Sequence, residues 1–285
     1  MTAATFAVGG HDINRMGFGA MQLPGPGVWG PPRDRDEAIA VLRTAVQRGV
    51  NHIDTAQYYG PDVANELIRS ALHPYPDDLR VATKIGFERG QDRSWRPARS
   101  PAQLRAAVDD NLRSLGLERL WLVNLRFADG GEDALAEELG VLADLRAEGK
   151  LELIGLSNVG RDGLEGALGL IQIASVQNGF NLVDRASAGV LEACRERGLA
   201  FVPFFPLGSA FGEGHGRIAD QPAVRRVASK HGSTPAQVAL AWLLALAPNV
   251  LLIPGTSSLK HLEENLAAAE LTLDGEDREA LDALA

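Results

Sequence analysis

The chain has 285 residues, is 45% apolar and 23% charged, and carries a formal charge of −9. This composition excludes a disordered chain, and the acidic balance argues against nucleic acid as a partner. A single cysteine, Cys194, excludes an internal disulfide and a cysteine cluster for zinc, so a reducing compartment is the expected setting.

Residues 4–14, ATFAVGGHDIN, read as a two-strand hairpin turning at Gly9-Gly10. Short apolar runs then alternate with stretches of helical spacing. MGFG (16–19) precedes the amphipathic DRDEAIAVLRTAVQRG (34–49), which stops at Gly49. VNHID (50–54) and RVATK (80–84) follow as strands. SPAQLRAAVDDNLRSLG (100–116) opens on Ser100-Pro101, an N-cap and a first helical residue. LWLVNLR (120–126) leads to the helical EDALAEELGVLADLRAEG (132–149), and LELIGLS (151–157) and IASVQ (173–177) come next. Cys194 lies in a helical pattern that ends at Gly198 and is expected as a small buried hydrophobe. LAFVPFF (199–205), VALAWLLALA (238–247) and NVLLIPG (249–255) complete the series. VALAWLLALA is too short to cross a bilayer and reads as a buried helix. The N-terminal residues lack the basic and apolar regions of a secretory signal, so a cytoplasmic protein without a membrane partner is expected.

The eight runs at 16–19, 50–54, 80–84, 120–126, 151–157, 173–177, 199–205 and 249–255 are each followed by a helical stretch. At this length they predict one domain over 1–285, an α/β (β/α)8 TIM barrel with an N-terminal β-hairpin. A doubly wound open sheet is the alternative, because strand order is not written in the chain.

In such a barrel the site lies at the carboxyl ends of the strands. Those ends read Gly19-Ala20-Met21, Asp54-Thr55-Ala56, Lys84, Arg126, Ser157-Asn158, Gln177-Asn178, Phe204–Gly208 and Pro254-Gly255-Thr256-Ser257. Asp54, Lys84 and Arg126 close three consecutive strands and should be neighbours on one rim. Asp54 would hold Lys84 charged. Tyr59 follows five residues after Asp54, and a nearby ammonium should lower its pKa and make it a general acid. Asn124 shares a strand face with Arg126 and should hold its guanidinium or contact a substrate. His52, one layer below Asp54, is expected as a satisfied core histidine, and Tyr58 as packing. Trp29 and Trp95 fall on loops above the rim, where they would stack on a flat substrate or pack the loops. The small residues opening the helix in IPGTSSLKHLEEN suit a phosphate. No metal cluster is spaced along the chain, and no metal is expected.

The motifs GFGAM (17–21), NHIDTAQYYG (51–60), VATKIG (81–86), IGLSNV (154–159), VQNGFN (176–181), PFFPLG (203–208) and IPGTSSLKHLEENLAAAE (253–270) occur one per strand end. Together they resemble the aldo-keto reductases over essentially the whole chain. GAMQLPGPGVWGPPRDR (19–35) and LWLVNLR resemble the bacterial pyridoxal reductase branch of that family. The resemblance implies NADP(H) lying across the barrel top and hydride transfer to a small aldehyde, with pyridoxal foremost. It implies a catalytic tetrad in which Asp54, Tyr59 (the acid) and Lys84 match. Arg126 stands where a histidine is usual; arginine has five donors and no acceptor, so it can orient an oxygen but not relay a proton.

The resemblance also distributes the cofactor contacts. Gly19, Ala20, Met21 and Asp54 fall along its path, and Ser157, Asn158 and Gln177 match the holders of the nicotinamide carboxamide. Phe204 replaces a stacking tyrosine, followed by Phe205 and Pro206, while Leu207 and Gly208 match backbone contacts to the pyrophosphate. Pro254, Gly255, Thr256, Ser257, His261, Glu264 and Asn265 match the adenosine end. His261 and Gly255 stand where members carry an arginine and a lysine against the 2′-phosphate, with Lys260 next door. The substrate contacts would be Trp29, Trp95, Asn124 and Arg126. The departures at Arg126 and Phe204 keep a second reading open, a non-catalytic nicotinamide-binding barrel that senses redox state or regulates a partner. A Schiff-base aldolase on Lys84 is disfavoured, because Asp54 would keep the amine protonated.

Overall fold

A computed structural model describes residues 4–128, 134–208 and 215–284. The hairpin is present as β1 (Thr5–Val8) and β2 (His11–Asn14), antiparallel, with Val8 opposite His11 and Gly9-Gly10 turning between them. The barrel begins with β3 (Phe18–Gly19), α1 (Arg35–Gln47), β4 (His52–Asp54), α2 (Val63–Leu72) and β5 (Arg80–Ile85). A second hairpin, β6 (Phe87–Arg89) with β7 (Trp95–Pro97), is inserted before α3 (Pro101–Leu115). Then come β8 (Leu120–Arg126), α4 (Leu135–Ala147), β9 (Leu151–Ser157), α5 (Arg161–Leu168), β10 (Ser175–Gly179), α6 (Ala188–Glu196) and β11 (Ala200–Phe204). Among the described residues, α7 (His215–Asp220), α8 (Pro222–His231), α9 (Pro235–Leu246), α10 (Leu259–Ala267) and α11 (Gly275–Asp282) follow.

The helix starts follow their local chemistry. Asp34 caps α1 by accepting from the Glu37 N–H. Ser100 and Gln103 satisfy each other's backbone donors in a capping box, with Pro101 at the first helical position of α3. Thr234 and Gln237 do the same for α9. That helix buries Val238 through Leu243, as expected for an all-apolar run, and its Trp242 stacks on Phe180.

Seven parallel strands lie in the order β3-β4-β5-β8-β9-β10-β11, so each neighbours the next barrel strand in the chain. Sequential parallel order excludes the doubly wound alternative. The eighth run differs from expectation. Residues 249–253 make single bridges rather than a ladder, Val250 to Phe201 on one side and Leu252 to Met16 on the other. The Leu251 N–H donates to Phe201 O at 2.9 Å and the Gly17 N–H to Leu252 O at 2.8 Å, which closes the ring between β11 and β3. The following Pro254 has no N–H to extend a ladder. Closure also needs two glycines: a Cβ at Gly19 would lie 2.4 Å from Ile253 O, and one at Gly255 would lie 2.6 Å from Gly19 O.

The main core lies between helices and sheet and includes Phe18, Ile53, Val123 and Leu125. A smaller cluster fills the barrel, where Val8 and Ile13 of the hairpin meet Ala82, Leu122, Val202 and Leu251. Leu122 is therefore an inward residue of β8, and Asn124 and Arg126, two and four positions on, face inward too. Cys194 is fully buried, and burial pushes its thiol up to about 12, as fits a packing role. Among the described residues no helix is long and apolar enough to cross a membrane.

Candidate active site

Asp54 ends β4 and Lys84 sits on the neighbouring β5, both buried. The Lys84 ammonium donates to Asp54 Oδ1 and, at 3.1 Å, to Thr55 O. Gln177, on β10 across the barrel, donates from Nε2 to Asp54 Oδ2 at 2.8 Å. Both carboxylate oxygens are thus occupied, which offsets the cost of burying the charge.

A closed polar network lies behind this pair. Thr55 Oγ1 donates to Asn65 Oδ1 (2.8 Å), and Asn65 Nδ2 donates to Asn111 Oδ1 (3.0 Å) and Ser114 Oγ (2.9 Å). Thr83 Oγ1 also donates to Asn111 Oδ1, at 2.6 Å. The network ties the ends of β4 and β5 to α2 and α3.

Tyr59 presents its ring to Lys84, with Nζ 5.1 Å from the ring centroid. Its phenol differs from expectation. Burial pushes the pKa up, the Asp54 charge pushes the same way, and Arg126 only partly opposes them. Tyr58 packs edge-on against Tyr59 and is likewise raised by burial.

Arg126, at the end of β8, donates from Nη1 to Ser157 Oγ at 3.1 Å. Its guanidinium carbon lies 4.9 Å from the Phe204 ring centroid and 6.0 Å from that of Phe87. Asn124 does not hold it. Asn124 leans instead over Gly155, where its Oδ1 accepts from Ser175 Oγ at 3.2 Å. Ser157 takes the positioning role because it is the register partner of Arg126 on β9.

These groups surround a cavity of about 450 Å³. Asp54, Tyr59, Lys84 and Arg126 all line it, as do Gly19, Met21, Asn158, Gln177, Phe204–Gly208, Pro254 and Gly255. Ala20 and Ser157 are buried behind the wall. Trp95 lines the cavity from β7, whereas Trp29 does not, its ring being covered by Arg89 (5.2 Å) and Arg93 (5.7 Å). Tyr58, Phe87, Phe127 and Gln22 also line it, unforeseen from sequence. The aromatic residues Phe87 and Trp95 on either side of the polar GQDRS turn were the faint signal for the β6–β7 hairpin that carries them.

A second cavity of about 550 Å³ shares Met21 and Gln22 with the first and reaches Arg33, Ser257 and Ser258. Of the remaining adenosine-end positions on and before α10, Thr256 and Asn265 are buried, Glu264 is half-buried and His261 is exposed; none of the four lines either cavity. Lys260 is exposed and lies 3.8 Å from Glu264. His52 is buried as expected but poorly satisfied: neither ring nitrogen makes a well-formed hydrogen bond, and burial lowers its pKa to about 4, opposed only in part by the Asn14 backbone.

The pattern of the aldo/keto reductase family matches residues 15–285. The chain belongs to the aldo/keto reductase family. It is 50% identical over 289 residues to pyridoxine 4-dehydrogenase of Escherichia coli, covering all of this chain and 99% of that protein. A thermostable aldo-keto reductase solved with the inhibitor epalrestat superposes with a TM-score of 0.83 at 30% identity, covering 99% of each chain. An aldo-keto reductase from Klebsiella pneumoniae, solved with NADPH, superposes at 0.85 with 25% identity, covering all of this chain and 95% of that one. The structure gathers Asp54, Tyr59, Lys84 and Arg126 around one cavity.

Whether a nicotinamide cofactor suits the cavity is tested by one atom. Gln177 Oε1 is buried without a partner on a cavity-lining residue, because Nε2 is committed to Asp54. An acceptor so placed suits the amide N–H of a carboxamide. The residues present therefore fit the group.

Proposed function

We propose that this protein reduces a small aromatic aldehyde, pyridoxal foremost, to its alcohol with NADPH. The observation that carries the reading is the meeting of Tyr59, the Asp54–Lys84 pair and the unpartnered Gln177 acceptor at one aromatic-lined cavity. The relative's name, pyridoxine 4-dehydrogenase, supports the choice of substrate.

Gln177 and Asn158 would hold the carboxamide, Phe204 would face the nicotinamide ring, and Leu207 and Gly208 the pyrophosphate. Bound there, NADPH supplies the hydride that reduces the carbonyl carbon. Tyr59 gives its proton to the carbonyl oxygen as negative charge develops on it. Burial keeps that phenol protonated, so the proton is present whenever the alkoxide forms. Asp54 orients Lys84, and Lys84 stabilises the phenolate left on Tyr59. Arg126 adds donors towards the oxyanion. Phe87, Trp95 and Phe204 supply flat apolar walls for an aromatic ring. The buried free Cys194 suits a cytoplasmic setting.

The test is NADPH oxidation with pyridoxal and a panel of aromatic aldehydes. Turnover of pyridoxal to pyridoxine is the expected result. Tight NADPH binding with no turnover of any aldehyde would replace this reading with a non-catalytic nicotinamide-binding barrel.

A further inference from the structure

Among the described residues, the charged side chains lining the main cavity are Asp54, Lys84 and Arg126. Asp54 and Lys84 neutralise each other. Among the described residues Arg126 has no carboxylate within 4.0 Å, and its hydrogen bond goes to the neutral Ser157 hydroxyl. Its other neighbours are the faces of Phe204 and Phe87. The described lining of the cavity therefore carries one net positive charge on walls that are otherwise mostly apolar or aromatic.

A half-buried guanidinium without a counter-charge is costly, and the cost falls when an anion arrives. A guanidinium also matches planar oxygen anions better than any other side chain does. None of the described residues supplies such an anion to Arg126.

We infer that Arg126 selects aromatic aldehydes that carry an anionic oxygen, a phenolate or a carboxylate, beside the reacting carbonyl. The inference rests on the aldehyde reductase reading and names its substrate class. Tyr59 gives its proton to the carbonyl oxygen, and Arg126, with five donors, reaches from that oxygen to the second, charged one. The usual histidine at this position, neutral or donating a single proton, would not impose that requirement. An aldehyde with the same ring but no anion leaves the guanidinium unpaired and reacts more slowly.

Two matched pairs test this. The first is turnover of 2-hydroxybenzaldehyde against 2-methoxybenzaldehyde, followed across the pH range in which the hydroxyl ionises. The second is equilibrium binding of benzoate against benzamide in the presence of NADP+, read by quenching of tryptophan emission. Wild-type protein should favour the hydroxy aldehyde at least tenfold in kcat/KM, increasingly as the hydroxyl ionises. It should bind benzoate at least tenfold more tightly than benzamide. Arg126→Gln should bring both ratios close to one, and Arg126→Lys should restore most of the benzoate preference. Circular dichroism establishes that each variant is folded. Equal handling of either pair by the wild type, or a preference that survives in Arg126→Gln, overturns the inference. If benzoate preference holds and depends on Arg126 while no aldehyde turns over, the anion selectivity stands and the reductase reading falls.

Discussion

Gln177 spans the barrel to reach Asp54, its Nε2 donating to Asp54 Oδ2 at 2.8 Å. Three strands, β9, β8 and β5, separate the two residues around the sheet. The bond fixes the direction of the amide, because a carboxylate can only accept. It leaves Gln177 Oε1 buried without a partner on a residue that lines the cavity, and it ties β10 to the Asp54–Lys84 pair.

Gln177→Leu removes that bond and the acceptor together. NADPH should bind about 10- to 100-fold more weakly, the range given by one charged hydrogen bond. A fluorescence titration measures it. Gln177→Glu sets a second carboxylate against Asp54, so one of the two holds a proton more tightly. Binding to that variant should recover as the pH is lowered.

Tyr59→Phe removes the proton donor while keeping the ring. The expected loss in kcat is about 10²- to 10⁴-fold, with NADPH affinity little changed. Because burial raises this phenol above its ordinary value near 10, the wild-type reductive rate should not fall between pH 7 and 9 through loss of the Tyr59 proton. A Tyr59-dependent ionisation in that interval, found in the pH profile of kcat, would contradict the assignment.

Lys84→Met leaves Asp54 buried with Gln177 as its partner. Breaking such a pair costs about 3–5 kcal/mol of folding stability. The double variant Asp54→Asn/Lys84→Met carries no uncompensated charge and should regain much of that loss. Urea denaturation of the wild type, the single variant and the double variant gives the comparison.

Asn111 accepts from both Asn65 and Thr83 and donates from Nδ2 to Ala107 O at 2.8 Å. Asn111→Leu strands those donors inside the protein, at about 1–3 kcal/mol for each unsatisfied group. Thermal unfolding should show the loss. Because the network anchors the residues beside Asp54 and Lys84, kcat should fall more than KM rises.

His52 supplies a pH dependence. Its folded pKa, about 4, lies below the ordinary value of 6.5. Below pH 6.5 the unfolded chain therefore takes up a proton that the native state refuses until about pH 4. Stability contributed by neutral His52 is present above pH 6.5 and is lost as the pH falls towards 4. Lowering the pH from 7 to 5 should cost about 2 kcal/mol through this group. A His52→Gln variant should show a correspondingly flatter dependence in denaturation midpoints over that interval.

The alternation of apolar runs and helical stretches made the barrel readable, and each matched strand end delivered its polar residues to one rim. Asp54 and Lys84 were legible because adjacent strands in sequence are adjacent in the sheet. The partner of Arg126 was not. Asn124 shares its strand face, but Ser157 stands opposite it in register, and register is set between strands. The β6–β7 hairpin was equally hidden, since its short strands are held by each other and by Arg89 between Trp29 and Trp95.

By itself, the sequence determined the order of the seven paired barrel strands, the inward parity of β8 and the residue types at each strand end. These follow from periodicity, which is a local property of the chain. Tertiary structure alone decided that Gln177 reaches Asp54, that Tyr59 holds its proton more tightly rather than less, and that Arg126 meets the Phe204 and Phe87 rings. Those outcomes depend on burial and on contacts between residues up to 123 positions apart, which no local pattern encodes.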